Sequence, residues 1–185
     1  MTERFKTLTL EEMTPEQRRA AEAIIAGPRK GMRGPFQALL RSPDMCDVVQ
    51  KFGEYVRFKN GLSEGLKELA ICITARHWTA QYEWYAHRQL GEKAGLKPAT
   101  FDALAAGRRP DGLSADESAV FDFATELLRT GEVTDKSFDA AKARFGERGV
   151  IDLVCTCGYY SVVSMILNVH RHELPPGAVP LPKLT

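Results

Sequence analysis

ELAICITARHWTAQYEWYAHRQLGEKAGL, from Glu68 to Leu96, decides how the rest of this chain is read. Apolar residues recur at helical spacing on both sides of a single break near Thr79, which predicts two helices folded as a hairpin. The stretch carries His77 and His87, both tryptophans (Trp78 and Trp84), Tyr82 and Tyr85, and the acids Glu68 and Glu83. Reactive groups mixed with aromatic ones suggest a lined pocket, because Tyr and Trp offer an apolar wall with a polar tip. A core-and-interface aromatic cluster is the competing reading.

Outward from the hairpin the chain reads as all helix. Thr14-Pro15 is a cap followed by proline at the first helical position and predicts a helix to about Ala26, stopped at Gly27-Pro28. A short helix is expected over Phe36 to Leu40, and Ser42-Pro43 caps another to about Phe58. Ser63 caps the first arm of the hairpin, Glu64 to Arg76 or His77. Thr79 is the expected cap of the second arm, which ends at Ala94-Gly95. Short turns follow over Pro98 to Ala106. Ser114-x-x-Glu117 is a capping box that opens a helix to about Leu128. Two further helices are expected, Ser137 to Phe145 and Gly149 to Asn168. The tail LPPGAVPLPKLT (174–185) holds four prolines, cannot be helical, and is expected to lie extended across a surface, such as that of a neighbouring subunit. The boundaries predict a single domain over 1–185, with an N-terminal helix and basic loop over about 1–41 and a proline-rich tail over 174–185.

Composition narrows the function classes. The chain has 185 residues, 44% hydrophobic and 26% charged, an ordinary soluble globular mix with room for a core. A net charge of +1 provides no field to gather nucleic acid or an anionic membrane. No uninterrupted apolar run reaches the roughly 18 residues of a membrane span. The N-terminus lacks a secretory apolar region, which makes the cytoplasm the expected location. Four cysteines occur, Cys46, Cys72, Cys155 and Cys157; Cys155-x-Cys157 has neither zinc-knuckle nor redox-pair spacing, and both of its members read as buried apolar sulfur. The segment GPRKGMRGP (27–35) is either a solvated connector or a basic flap over a pocket that attracts a carboxylate. His170 and His172 read as a solvated helix end.

Glu83 and His87 are four residues apart and share one helical face. A carboxylate beside an imidazole favours the imidazolium, a proton donor near neutral pH. The same spacing also describes an ordinary surface pair. Glu68 opens an apolar run on the preceding arm and is either a partly buried base or an acid in an early helical turn. No pair other than Glu83/His87 has a helical metal-ligand spacing, and no metal is expected.

The residues E-L-A-I-x-x-x-A-R, a short turn, Y-E-W-x-x-H and A-G-L resemble the carboxymuconolactone decarboxylase family, which includes the alkylhydroperoxidase D-like proteins. The resemblance implies an all-α helical bundle built on a central hairpin, assembled as dimers, trimers or hexamers. It also implies two chemistries. The peroxidase-like branch uses C-x-x-C-x-x-x-H with a Glu twelve positions before the first cysteine. Here that Glu is Glu68 and the His is His87, but Ala80 and Glu83 occupy the cysteine positions. Thiol exchange needs a nucleophilic thiolate and a resolving thiol, which disfavours the peroxidase route. The decarboxylase-like branch keeps Glu68 and His87 and needs no cofactor.

The expected function is therefore a cofactor-independent lyase acting by acid/base chemistry on a small carboxylated lactone. The catalytic candidates are Glu68, His87, Glu83 and Tyr82; the substrate-binding candidates are Arg76, His77, Trp78 and Trp84, with Arg29, Lys30 and Arg33 as further grips for a carboxylate. A non-catalytic helical oligomer that binds a small organic acid is the alternative from another class. Neither nucleic acid nor a membrane is an expected partner.

Overall fold

A computed structural model describes residues 2–184, and among them every regular element is helical. A 3-10 turn (Leu10–Glu12) precedes α1 (Pro15–Ala26), α2 (Phe36–Leu39), α3 (Pro43–Phe58), α4 (Glu64–Trp78), α5 (Gln81–Lys93), α6 (Pro98–Ala105), α7 (Ala115–Thr130) and α8 (Asp135–His170). The start signals act as their chemistry dictates. The Thr14 hydroxyl accepts from the Gln17 N–H while the Gln17 side chain returns to the Thr14 N–H. Ser114 and Glu117 make the same reciprocal pair.

Two boundaries differ from expectation. Thr79 closes α4 rather than capping α5: it is left-handed (φ 49°), and Ala80 precedes α5 in an extended conformation. The Thr79 hydroxyl accepts from Arg76 Nη2 at 2.7 Å, which commits it to α4. The two last helices are joined into α8, broken at Gly146 (φ 68°, ψ 177°) into segments 135–145 and 147–170. That positive φ is the reason the break falls on glycine.

α4 is the centre of the bundle and packs on α5, α7 and α8. Every residue from Leu66 to Arg76 is buried, as expected of a helix that is apolar on nearly all sides. Leu69, Trp84, Phe101, Phe123 and Leu153 form the core on one side. Ile71, Phe36, Leu40, Val56 and Tyr160 form the core on the other. Losing one fully buried leucine such as Leu69 would cost about 2–5 kcal/mol. α5 reaches α4 over Gly91, where a Cβ would stand 2.5 Å from Phe101 Cζ and 3.4 Å from Glu68 Cβ. That glycine sets the spacing on which the hairpin's polar pairs depend.

The tail lies extended, as its prolines require, but across this chain's own hairpin turn. Gln81 and Leu181 exchange two hydrogen bonds (2.9 and 2.8 Å), Arg76 donates to the Pro182 carbonyl, and Leu181 is buried. By length and composition α8 could cross a membrane, which counting uninterrupted apolar runs did not reveal. However, 56% of its most apolar window is packed inside the chain.

Candidate functional site

Three side chains from the hairpin meet at its middle. Glu68 sits in the second turn of α4; Glu83 and His87 share one face of α5. His87 Nδ1 is 2.6 Å from Glu68 Oε2, and His87 Nε2 is 2.9 Å from Glu83 Oε2. The second contact pairs charges without the alignment of a hydrogen bond, so Glu83 Oε2 has no hydrogen-bond donor among the described residues. All three are buried. α3 and α8 complete the row: Arg57 Nη1 stands 3.2 Å from Glu68 Oε1 and 3.4 Å from the Tyr160 hydroxyl, and the Tyr160 ring meets the His87 ring edge-on at 4.9 Å.

The charges offset one another. Burial pushes the His87 imidazole toward its neutral form, but Glu83 and Glu68 outweigh it and raise its pKa to about 9. Burial also pushes Glu68 up, yet His87 and Arg57 hold its carboxyl below the usual range. Burial raises the Tyr160 hydroxyl, which keeps its proton. Imidazolium and guanidinium thus balance two carboxylates in a site that excludes most water, where each interaction is stronger than at the surface.

A cavity of about 340 Å³ opens on this row, bordered by Glu83, His87, Tyr82, Tyr159 and Tyr160. The volume suits a small organic molecule. The basic segment 27–35 runs along its mouth, so of the two readings of that loop the structure places it at a pocket. Arg29 and Arg33 line the cavity. Arg29 Nη2 donates to the Tyr159 hydroxyl at 3.3 Å, and its guanidinium lies 4.9 Å from the Phe36 ring centre. Its Nε is buried without an acceptor among the described residues. A cation held by a phenol and an aromatic face retains its attraction for an incoming anion. Gly53 makes this possible, because a Cβ there would fall 2.0 Å from the Tyr159 hydroxyl and 2.4 Å from Arg29 Nη2.

The four catalytic candidates Glu68, Glu83, His87 and Tyr82 therefore come together. The four substrate-binding candidates do not. Arg76 is buried at the end of α4 and holds the Ala105 and Pro182 carbonyls and the Thr79 hydroxyl. His77 and Trp78 pack on each other edge-on at 5.2 Å, away from the cavity, and Trp84 packs on Phe101 in the core. The reason is the face each occupies: α5 turns Glu83 and His87 toward α8 and therefore Trp84 toward α6. Arg57 and Tyr160 were missed. Arg57 lies only eleven residues before Glu68, but on a helix that carries several other charges and so did not stand out. Tyr160 comes from α8, 103 positions from Arg57, and its signal was a phenol in an apolar helix.

The four cysteines are free, none lines the cavity, and Cys46, Cys72 and Cys157 are buried; Cys155, expected to be buried with Cys157, is only half-buried. Burial lifts the Cys72 thiol well above its usual range and the Cys157 thiol to about 12, which opposes thiolate formation. His170 is not solvated, as its place near a helix end suggested; it is buried against Phe5. With Glu3 and His172 it gathers three potential metal ligands. However, His170 Nδ1 accepts the Phe5 N–H at 3.3 Å, which places the ring's own proton on Nε2, the nitrogen facing Glu3. A metal would need that nitrogen bare, so the cluster fits a clasp between the N-terminal arm and α8 better than a metal centre.

No protein-family model matches the sequence, and no curated protein does. Solved structures match the fold. One is an uncharacterised peroxidase-related protein from Ralstonia eutropha with an alkylhydroperoxidase AhpD core: TM-score 0.77 at 17% identity, over 95% of this chain and 94% of that one. Another is a protein of unknown function from Agrobacterium tumefaciens, described as a candidate antioxidant defence protein AhpD: TM-score 0.67 at 16% identity, over 77% of this chain and 99% of that one. The chain has an all-α, AhpD-like fold.

Proposed function

We propose that the cavity binds a small carboxylated lactone, or a related acid whose anion is conjugated to a carbonyl, and decarboxylates it by proton transfer without a cofactor. The observation that carries this reading is the row Glu68–His87–Glu83, which ends at a cavity with Arg29 at its mouth. Arg29 and Arg33 attract and orient the anion. As the carbon–carboxylate bond breaks, CO2 leaves and its electron pair moves into the conjugated carbonyl, forming an enolate. The Tyr82 hydroxyl and the His87 imidazolium oppose the new negative charge. The enolate carbon then takes a proton from His87 Nε2, either directly or through Glu83, whose unpartnered oxygen faces that nitrogen. Water returns a proton to His87. The sum is one carboxylate and one proton converted to CO2 and a C–H bond. Glu68, with Arg57 behind it, is a positioning residue that fixes the imidazole and keeps it charged.

The fold's peroxidase-like relatives suggest thiol redox chemistry as the competing enzyme reading. Glu83 and Ala80 at the two cysteine positions, and four cysteines away from the cavity, oppose it. The experiment is turnover of 4-carboxymuconolactone and a panel of related carboxylactones, followed by CO2 release. Wild type should release CO2, and His87→Gln should not while keeping its fold. Saturable binding of the panel with no product, at high protein concentration, would instead identify a binding protein.

A further inference from the structure

Arg76 and His77, which do not reach the catalytic cavity, border a second cavity of about 210 Å³ between α4, the end of α6 and α7. Ile73, Arg76 and His77 share one face of α4, and Phe121, Thr125 and Arg129 share one face of α7. Ile73, Leu104 and Phe121 supply apolar wall. Arg76, His77, Arg108 and Arg129 supply basic groups, and among the described residues none around the cavity is acidic. No residue is shared with the catalytic cavity. The C-terminal strap brings another cation: Lys183 and Leu184 border a hollow that also includes Arg76 and His77. Leu184 settles over Gly107, where a Cβ would stand 2.7 Å from Leu184 Cδ1.

We propose that this cavity is a second ligand site, separate from the catalytic one, for an organic acid with an apolar body such as a medium-chain fatty acid, its carboxylate held by Arg76, Arg108 and Arg129. Charge carries the assignment. Arg76 is buried, yet among the described residues its guanidinium meets only neutral oxygens: the Ala105 and Pro182 carbonyls and the Thr79 hydroxyl. Its Nε has no acceptor there. Burial alone acts on its pKa, downward, with no acid to offset it. A buried charge is ordinarily paired, because neutral dipoles replace its hydration incompletely. Arg108 and Arg129 make no ion pair among the described residues either. The nearby acids are engaged elsewhere: Asp122 by Arg109, and Glu126, three residues before Arg129, by the Thr134 N–H and hydroxyl. A carboxylate would complete these cations through charge-assisted hydrogen bonds. Its apolar body would cover Ile73, Leu104 and Phe121, which a small polar anion would leave bare.

Calorimetric titration of sodium octanoate into Arg29→Met protein, whose catalytic cavity has lost its grip on anions, isolates the second site. Octanoate should bind saturably, one per chain. Adding Arg108→Gln and Arg129→Gln, both at exposed side chains, should weaken binding at least about tenfold and leave the melting temperature nearly unchanged. Thr125→Trp, which fills the recess from α7, should weaken it likewise and serves if the paired substitutions fail to fold. 1-Octanol, which lacks the charge, and inorganic phosphate, which lacks the apolar body, should each bind at least about tenfold more weakly than octanoate. Absence of saturable binding at millimolar octanoate would overturn the proposal. So would octanoate binding that survives all three substitutions, or phosphate binding as tight as that of octanoate.

Discussion

Raising the pH from 6.5 to 9.5 should weaken the fold through His87. Its imidazole holds a proton up to about pH 9 in the fold, against an ordinary value of 6.5. Each unit of that difference is worth about 1.4 kcal/mol, so the folded state gains on the order of 3 kcal/mol from this group, undiminished by solvent because the ring is buried. Below pH 6.5 both folded and unfolded chains are protonated and the gain is whole. Between 6.5 and 9 the unfolded chain gives up a proton that the folded chain retains, and the gain falls steadily until it is lost. Glu68 works in the opposite direction: its lowered carboxyl stabilises the fold above its ordinary value of 4.5 and ceases to do so as acid protonates it. The combined contribution is greatest between about pH 4.5 and 6.5. Urea unfolding at half-unit pH steps, on wild type and on His87→Gln, isolates the effect, because every other titrating group is common to both. The stability difference between the two should shrink by roughly 3 kcal/mol from pH 6.5 to 9.5, and Glu83→Gln should flatten the wild-type slope. Parallel curves for wild type and His87→Gln would refute the charged, clamped imidazole and the proton relay built on it.

Other substitutions test the remaining contacts. Glu68→Gln removes a buried carboxylate from between Arg57 and His87 and should destabilise the fold by about 3–5 kcal/mol in urea unfolding, more than any exposed ion pair such as Lys142–Glu147 would. Gly91→Ala drives a methyl group into Phe101 and should cost about 1–3 kcal/mol, read as a lowered melting temperature. Arg29→Met should weaken binding of small carboxylates at least about tenfold, by calorimetry, if one charge-assisted contact is lost, and should leave the melting temperature within a few degrees of wild type.

The helices were legible because their signals are local. Thr14-Pro15, Ser63 and the Ser114–Glu117 box each act within a single turn and start a helix at the predicted place, and α3 starts at Pro43 as expected although the Ser42 side chain makes no capping hydrogen bond. Thr79 misled because the same hydroxyl can close one helix or open the next. The choice was made by Arg76, a contact that propensity does not encode. The polar row was half legible. Glu83 and His87 declare their shared face by spacing; Glu68 stood out by opening an apolar run, and the resemblance then tied it to His87. Arg57 and Tyr160 arrive from α3 and α8, whose close approach depends on Gly53 and on the packing of both cores. Arg76, His77, Trp78 and Trp84 show the converse error: nearness in sequence to the reactive residues placed them on other faces of the same two helices.

The hairpin turn consists of little more than Thr79 and Ala80, and Glu68 is only nineteen residues from His87. Their contact closes a short loop, whereas Arg57 and Tyr160 are separated by 103 positions. Short loops close with little entropic cost and long ones with more, so the acid–imidazole pair belongs to the early part of folding and the Arg57–Tyr160 contact to the late part. Changes at Thr79 should therefore act mainly on the folding rate, and Tyr160→Phe mainly on the unfolding rate, in stopped-flow denaturant jumps. The reactive pair would form while still in contact with water and acquire its low-dielectric surroundings only when the C-terminal half of α8 arrives.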